Sequence, residues 1–175
     1  MSELMKVEGL RFSWGDNLVI DSVDFAVKEN ELISILGKNG AGKSTLLKCL
    51  NKILSPSQGK ILIQGEDVTE LDILTTSKKM SYVPQSITSN FSMDVFDVVL
   101  LGRRPYINWS VGENDRNLVS KTIDRMGLSG FAFRRFDRLS GCEKQSVIIA
   151  KAVAQYPYLF LFDEPTSDLD LKNQI

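Results

Sequence analysis

The chain has no histidine among its 175 residues. That absence removes Ser/His and Cys/His nucleophile pairs, mixed Cys/His zinc sites and histidine acid–base chemistry. Cysteine is scarce too: Cys49 and Cys142 are the only two, and they show no metal-ligand or redox spacing. A cytoplasmic chain would keep both reduced. No apolar run approaches the ~20 residues needed to span a bilayer, and Met1-Ser2-Glu3-Leu4-Met5-Lys6 has no apolar signal core. Any link to a membrane is therefore expected to run through a partner protein. An excess of one charge is also lacking. The 21 Lys and Arg against 22 Asp and Glu leave a net charge of −1, which gives no electrostatic footprint for nucleic acid or an acidic membrane surface. Catalysis, if present, is left to carboxylates, a lysine and a metal ion. The 43% hydrophobic and 25% charged content are ordinary for a soluble globular protein. The length allows one sizeable core with a smaller subdomain attached.

Against that background one segment stands out. Gly37-Lys38-Asn39-Gly40-Ala41-Gly42-Lys43-Ser44 matches Gly-x4-Gly-Lys-Ser/Thr. The apolar segment Leu32 to Leu36 predicts a strand before it. Leu46, Leu47, Leu50 and Ile53, at three- and four-residue spacing, predict a helix after it. In that setting the glycines let backbone N–H groups turn inward around phosphate oxygens, where a Cβ would obstruct the approach. The helix aims its positive N-terminal end at the same oxygens. Lys43 then reaches terminal phosphates, and the Ser44 hydroxyl ligates a magnesium ion. The competing reading is a glycine-rich turn that merely starts a helix. Average composition produces this pattern by accident in roughly one such chain in two hundred, so nucleotide binding is the stronger reading.

The rest of the chain fits around that loop. Val7 to Phe12 and Val23 to Val27 alternate apolar and polar residues, as half-exposed antiparallel strands do. Ser55 to Gly59 reads as a turn, Lys60 to Ile63 and Met80 to Val83 as short strands. The composition then turns helical. Val95, Val98 and Val99 make one apolar face, and Leu118, Val119, Thr122, Ile123 and Met126 make another. From Val147 to Ala154 a helix is apolar on nearly every side except Lys151, which predicts burial. Tyr158-Leu159-Phe160-Leu161-Phe162 is a continuous apolar run, suited to a central parallel strand. It ends in Asp163 and Glu164. A strand of that kind delivers carboxylates to the sheet edge where ligands bind. There Asp163 can hold magnesium, and Glu164 can orient and deprotonate an attacking water. Two carboxylates that merely cap a core strand are an equally good reading until the upstream loop is counted. Ser140 and Glu143 fit a capping box opening the apolar helix, a common local device that proves little by itself.

With these motifs in order, the chain resembles an ATP-binding-cassette (ABC) ATPase over essentially all 175 residues. Gly37 to Ser44 is similar to the Walker A loop and Tyr158 to Glu164 to the Walker B strand. Gln85 matches the Q-loop glutamine, which in the family contacts the metal and the attacking water. Ser167 to Asp170 matches the D-loop. Leu139 to Glu143 matches the signature Leu-Ser-Gly-Gly-Gln/Glu, with Cys142 in place of the second glycine. Trp14 stands where the family usually has a tyrosine that stacks on adenine, a task that an indole face can also do. Without the family frame, Trp14 reads as a packed turn aromatic and Gln85 as a solvated loop residue. A narrower resemblance, to ATPase subunits of iron–siderophore, haem and vitamin B12 importers, rests on Val95 to Ile107 and on Asp170 to Gln174. An amphipathic helix and a basic loop are the plain alternative there.

What the resemblance implies is specific. The fold is α/β: a P-loop NTPase (RecA-like) core with an N-terminal antiparallel β subdomain and a helical insertion. Core and β subdomain occupy about 1–86 and 153–175, and the insertion about 87–152. ATP with Mg2+ is held by Trp14, Gly37, Lys38, Asn39, Gly40, Ala41, Gly42, Lys43, Ser44 and Thr45. Ser44, Gln85 and Asp163 serve the metal; Glu164, Lys43 and Gln85 are the catalytic set. Ser140, Gly141 and Cys142 act in trans, on nucleotide bound by a second ATPase subunit of a homodimer. The dimer energises two permease subunits from the cytoplasmic face of the membrane, an extracellular substrate-binding protein is involved indirectly, and nucleic acid is not a partner. The switch histidine and the last strands and helices of the family are missing, so the C-terminal part of the domain is expected to be truncated. Cys142 is expected to crowd a surface where backbone approaches phosphate. The alternatives are a nucleotide-binding fragment without turnover and a soluble ABC protein without a transporter.

Overall fold

The computed structural model describes residues 2–85 and 92–164. The chain forms two compact units, Met1–Met80 and Ser81–Ile175.

The first unit is built on a long hairpin. Strands β1 (Glu3–Trp14) and β2 (Asn17–Lys28) pair antiparallel, with Val7 opposite Phe25 and Trp14 opposite Asn17. Strand β3 (Gln58–Ile63) lies antiparallel on the other side of β1, and the short β4 (Glu66–Asp67) follows, giving the order β2-β1-β3-β4. The alternation legible in the sequence has its cause here. Met5, Val7, Leu10 and Phe12 point to a covered face and are buried, as are Ile61 and Ile63 of β3. Helix α1 (Lys43–Leu50) buries Leu46, Leu47, Cys49 and Leu50. Helix α2 (Ile73–Lys79) starts at Asp72, whose carboxylate accepts from the Thr75 N–H at 2.7 Å and caps the first turn.

The second unit is mostly helical. Strand β5 (Met80–Val83) pairs with β6 (Leu159–Phe162) in a two-stranded sheet. Between them run α3 (Val95–Leu100), a 3-10 segment over Leu101–Tyr106, α4 (Glu113–Arg125) and α5 (Gly141–Ala154). Val95, Val98 and Val99 of α3, Val119 and Ile123 of α4 and Val147 of α5 form one cluster, each at most 3% exposed. Roughly 1.5–3 kcal/mol for each fully buried aliphatic side chain makes this cluster the main stabiliser of the unit. Leu118 and Met126 pack against its margin. Burial pulls the Lys151 ammonium below its ordinary value, the one charge on an otherwise apolar stretch of α5.

Three expectations are corrected. Leu32 to Leu36 forms no strand, and Leu32 and Leu36 are 94% and 90% exposed. A strand exists through its ladder of hydrogen bonds, and among the described residues none pairs with this segment. In β6 only Leu161 is buried, while Phe160 and Phe162 stay 37% and 41% exposed with their rings stacked 5.9 Å apart. A continuous apolar strand is buried throughout only when both of its faces are covered; here one is. Ile53 is likewise exposed, because α1 ends at Leu50 and Lys52 takes a φ of 56°, turning the chain off the helix axis before Ile53 can join its stripe.

Candidate functional site

In the first unit the phosphate-loop residues have the backbone that their glycines allow. Gly40 and Gly42 have φ of 82° and 88°, in the left-handed region that favours glycine. Gly42 is also tightly enclosed: a Cβ there would stand 2.9 Å from Val19 Cγ1 and 3.1 Å from the Val19 carbonyl oxygen. The hairpin thus touches the loop where α1 begins. The Ala41 N–H donates to the Lys38 carbonyl at 3.1 Å. The Lys43 ammonium turns back over the loop and donates to the carbonyls of Gly37 at 3.0 Å and Lys38 at 3.2 Å. A cation held inside a curl of backbone at a helix N-terminus is an arrangement suited to a phosphate-sized anion. Gly37 to Ala41 are exposed, and Lys43, Ser44 and Thr45 are half-buried. Trp14 lies at the tip of the same hairpin, edge-on to Phe12 at 5.0 Å and 57% exposed, so its indole offers surface to a planar ligand.

In the second unit, β5 and β6 bring the other predicted residues together. Asp163, directly after β6, is 4% exposed; its N–H donates to the Val83 carbonyl at 2.9 Å, extending the pairing of the strands by one residue. Gln85 Nε2 donates to Glu164 Oε2 at 2.7 Å. Glu164 has a φ of 44°, a left-handed conformation uncommon for a residue with a side chain and frequent where a catalytic group must be aimed. One contact at this site was not foreseen. The Tyr82 hydroxyl donates to Asp163 Oδ2 at 2.9 Å. Burial, and then that bond, hold the phenol well above its ordinary value, so it remains a neutral donor. Nothing in the local sequence marks Tyr82, since its partner lies 81 residues away.

The signature residues open α5. Ser140 and Glu143 form the expected capping box: the Ser140 N–H and hydroxyl donate to Glu143 Oε2 at 2.7 and 2.8 Å, and the Glu143 N–H donates to Ser140 Oγ at 3.3 Å. The backbone bond and then the hydroxyl bond from Ser140 hold the Glu143 carboxyl below its ordinary value. Among the described residues nothing lies within 4 Å of where a Cβ on Gly141 would stand, so none of their contacts demands glycine there. Cys142 is half-buried, and the Ser146 hydroxyl donates to its carbonyl at 3.0 Å, a side-chain bond back to the preceding helical turn.

Two residues of the Leu-Gly-Arg-Arg-Pro-Tyr stretch prove structural. A Cβ on Gly102 would lie 2.1 Å from the Lys151 carbonyl oxygen, so only glycine fits against α5. Arg103 donates to Asp115 Oδ1 at 2.9 Å and to the Ala154 carbonyl at 3.0 Å, tying α4 to the C-terminal end of α5. The D-loop residues Ser167 to Asp170 and the stretch to Gln174 lie outside the described residues.

Taken separately, the two units hold a phosphate-type loop beside a tryptophan-tipped hairpin and a strand pair presenting Asp163, Glu164 and Gln85, the parts of a P-loop nucleotide-binding protein. The chain matches the family described as ABC transporter over residues 20–167 and belongs to it. It is 48% identical, over 98% of its length, to an uncharacterised ABC transporter ATP-binding protein of Methanocaldococcus jannaschii and covers 67% of that protein. It is 36% identical, over 98% of its length, to the cobalamin import ATP-binding protein BtuD of Halobacterium salinarum and covers 43% of it. A phosphonates import ATP-binding protein of Rhodopseudomonas palustris matches at 35% identity, over 97% of this chain and 66% of that protein. A solved metal-chelate-type ABC transporter in an inward-facing conformation superimposes with a TM-score of 0.83 at 35% identity, over 99% of this chain and 64% of that one. The chain therefore spans between about two fifths and two thirds of the length of these relatives. The fold is the P-loop NTPase fold of ABC ATPases, with the antiparallel sheet at its N-terminus.

Proposed function

We propose that this chain is the ATP-binding and ATP-hydrolysing part of an ABC importer, working as a subunit that couples phosphoryl transfer to movement of a solute across a membrane. The observation that carries this reading is the loop around Lys43, whose ammonium already sits on the carbonyls of Gly37 and Lys38. Phosphate oxygens offer that ammonium stronger, charge-assisted acceptors. In this reading Trp14 stacks on the base, and Gly37, Lys38, Asn39, Gly40, Ala41, Gly42, Ser44 and Thr45 line the phosphates with Lys43. Ser44, Gln85 and Asp163 serve the magnesium.

The chemistry of these donors suits Mg2+, a hard cation that takes oxygen ligands. Among the described residues no three acidic or cysteine side chains cluster to hold a metal. In this reading the ion is held through one carboxylate, a hydroxyl and the nucleotide's own phosphates. Asp163 is nearly buried beside a neutral hydroxyl donor, where a cation would offset the cost of desolvating the carboxylate. When bound, Mg2+ neutralises charge building on the phosphate oxygens. Glu164 is the base for the attacking water, and Gln85 holds its carboxylate in place. The protein's contribution is positioning and electrostatics.

Ser140, Gly141 and Cys142 complete the site of a second ATPase subunit. The space around Gly141, open among the described residues, supports this, since a glycine that none of them requires suits a surface approached from outside. The division into core and β subdomain (about 1–86 and 153–175) and helical insertion (about 87–152) is part of the same reading. So are the two permease subunits, the indirect substrate-binding protein and the place on the cytoplasmic face. No helix among the described residues is long and apolar enough to cross a membrane. An iron–siderophore, haem or cobalamin cargo is the finer proposal. It is supported by the cobalamin-import and metal-chelate relatives and opposed by the phosphonate-import one. Co-expression with candidate permease subunits tests the coupling: co-purification with a permease and ATPase activity that depends on it support the reading, and a chain that purifies alone with unregulated activity rejects it.

A further inference from the structure

The Tyr82 hydroxyl is placed to act through the Asp163 carboxylate. It belongs to β5, its partner Asp163 follows β6, and the two strands are hydrogen-bonded neighbours. The Asp163 N–H on the Val83 carbonyl at 2.9 Å fixes the aspartate backbone against β5. The Tyr82 hydroxyl on Oδ2, also at 2.9 Å, then fixes its carboxylate. A carboxyl group attached through one methylene has two torsions to settle, and these contacts restrain both ends. Asp163 is 4% exposed, so a carboxylate left without that donor would keep its desolvation cost and lose a hydrogen bond that helps to offset it. The ring is also rigid: a tyrosine on a paired strand presents its hydroxyl at a fixed height above the sheet, unlike a flexible donor such as lysine.

We propose that Tyr82 is a positioning residue for magnesium binding, holding the Asp163 carboxylate through Oδ2 so that it meets the metal in one orientation. The inference rests on Asp163 being a ligand of Mg2+, as set out above. Partners one step removed from a metal commonly carry about 10–100-fold of its affinity, although they never contact it.

The test uses the full chain and a fluorescent ATP analogue, titrated first in EDTA and then against Mg2+. Four variants are compared: Tyr82→Phe, Asp163→Asn, the double variant, and Tyr82 replaced by p-aminophenylalanine, whose amine can donate from the same ring position. Tyr82→Phe is expected to leave metal-free nucleotide binding unchanged and to raise the Mg2+ midpoint about tenfold. Asp163→Asn should raise it at least as far. The double variant should match Asp163→Asn alone, because Tyr82 acts only through that carboxylate. The p-amino variant should return most of the lost Mg2+ affinity.

An unchanged Mg2+ midpoint in Tyr82→Phe, with a shifted one in Asp163→Asn, overturns the positioning role and leaves Asp163 a ligand. Equal weakening by Tyr82→Phe with and without Mg2+ also overturns it, since that marks a general packing defect. No shift in Asp163→Asn would remove the metal reading of Asp163 and the inference with it. If Tyr82→Phe fails to fold, the p-amino variant carries the test: wild-type Mg2+ affinity supports the donor, and a tenfold loss despite the retained ring and amine rejects it.

Discussion

Gln85 Nε2 stands 2.7 Å from Glu164 Oε2, joining the residue two beyond β5 to the residue two beyond β6. The pair draws the proposed base onto the proposed Q-loop glutamine, with Glu164 held at a φ of 44°. A carboxylate aimed by an amide donor keeps one orientation toward water, which is what a general base requires.

Replacing Glu164 by glutamine should therefore lower turnover by about 10²–10⁴-fold while ATP binding persists. Gln85→Ala should lower turnover less, because it frees the base without removing it. Single-turnover hydrolysis measured beside nucleotide affinity separates the two effects. Equal loss of binding and turnover in Glu164→Gln would place the residue in folding instead.

Gly102 meets α5 so closely that a Cβ would stand 2.1 Å from the Lys151 carbonyl oxygen. Gly102→Ala must push the 3-10 segment away from α5 and should cost about 1–3 kcal/mol or more, read as a lower melting temperature. Arg103→Ala removes the tie from α4 to the Ala154 carbonyl and should destabilise in the same direction. A melt unchanged by both would mean that this junction does not hold the helices.

The Glu143 carboxyl sits below its ordinary value of 4.5 because Ser140 donates to it from both its N–H and its hydroxyl. A carboxyl lowered by folding stabilises the native state fully above its unfolded value, and the gain is lost as the pH falls through the folded value. Glu143→Gln should therefore show a shallower fall in melting temperature than wild type between about pH 5 and pH 3. Parallel curves would mean that the capping box contributes nothing to acid sensitivity.

In the proposed reading Cys142 occupies the signature position at which the family has its second glycine. If that surface meets phosphate in a partner subunit, Cys142→Gly should raise turnover of an assembled dimer and leave nucleotide affinity of the single chain unchanged. A dimer whose rate does not respond would show that the thiol is accommodated.

The sequence was informative wherever a local pattern has one physical meaning. The alternation in β1 and β2 required a half-covered hairpin, Gly42 required a left-handed turn, and Ser140 with Glu143 required a capped helix start. It misled where burial depends on a distant neighbour. Leu32 to Leu36 is as apolar as a core strand, yet no described strand pairs with it, and Phe160 and Phe162 read as two-sided burial while one face of β6 is open. Tyr82 was invisible for the same reason: its meaning lies in a bond to a residue 81 positions on. Gly102 and Arg103, read first as a mark of one importer type, proved to be fitted to the end of α5.

The most direct test of the account is Mg2+-ATP binding and hydrolysis by the purified chain beside Lys43→Ala. The account predicts nucleotide binding that weakens by roughly 10–100-fold in the variant, the scale of a hydrogen bond to a charged group, together with turnover that falls with it. Binding that does not depend on Lys43 would contradict the assignment of the loop, and with it the nucleotide site.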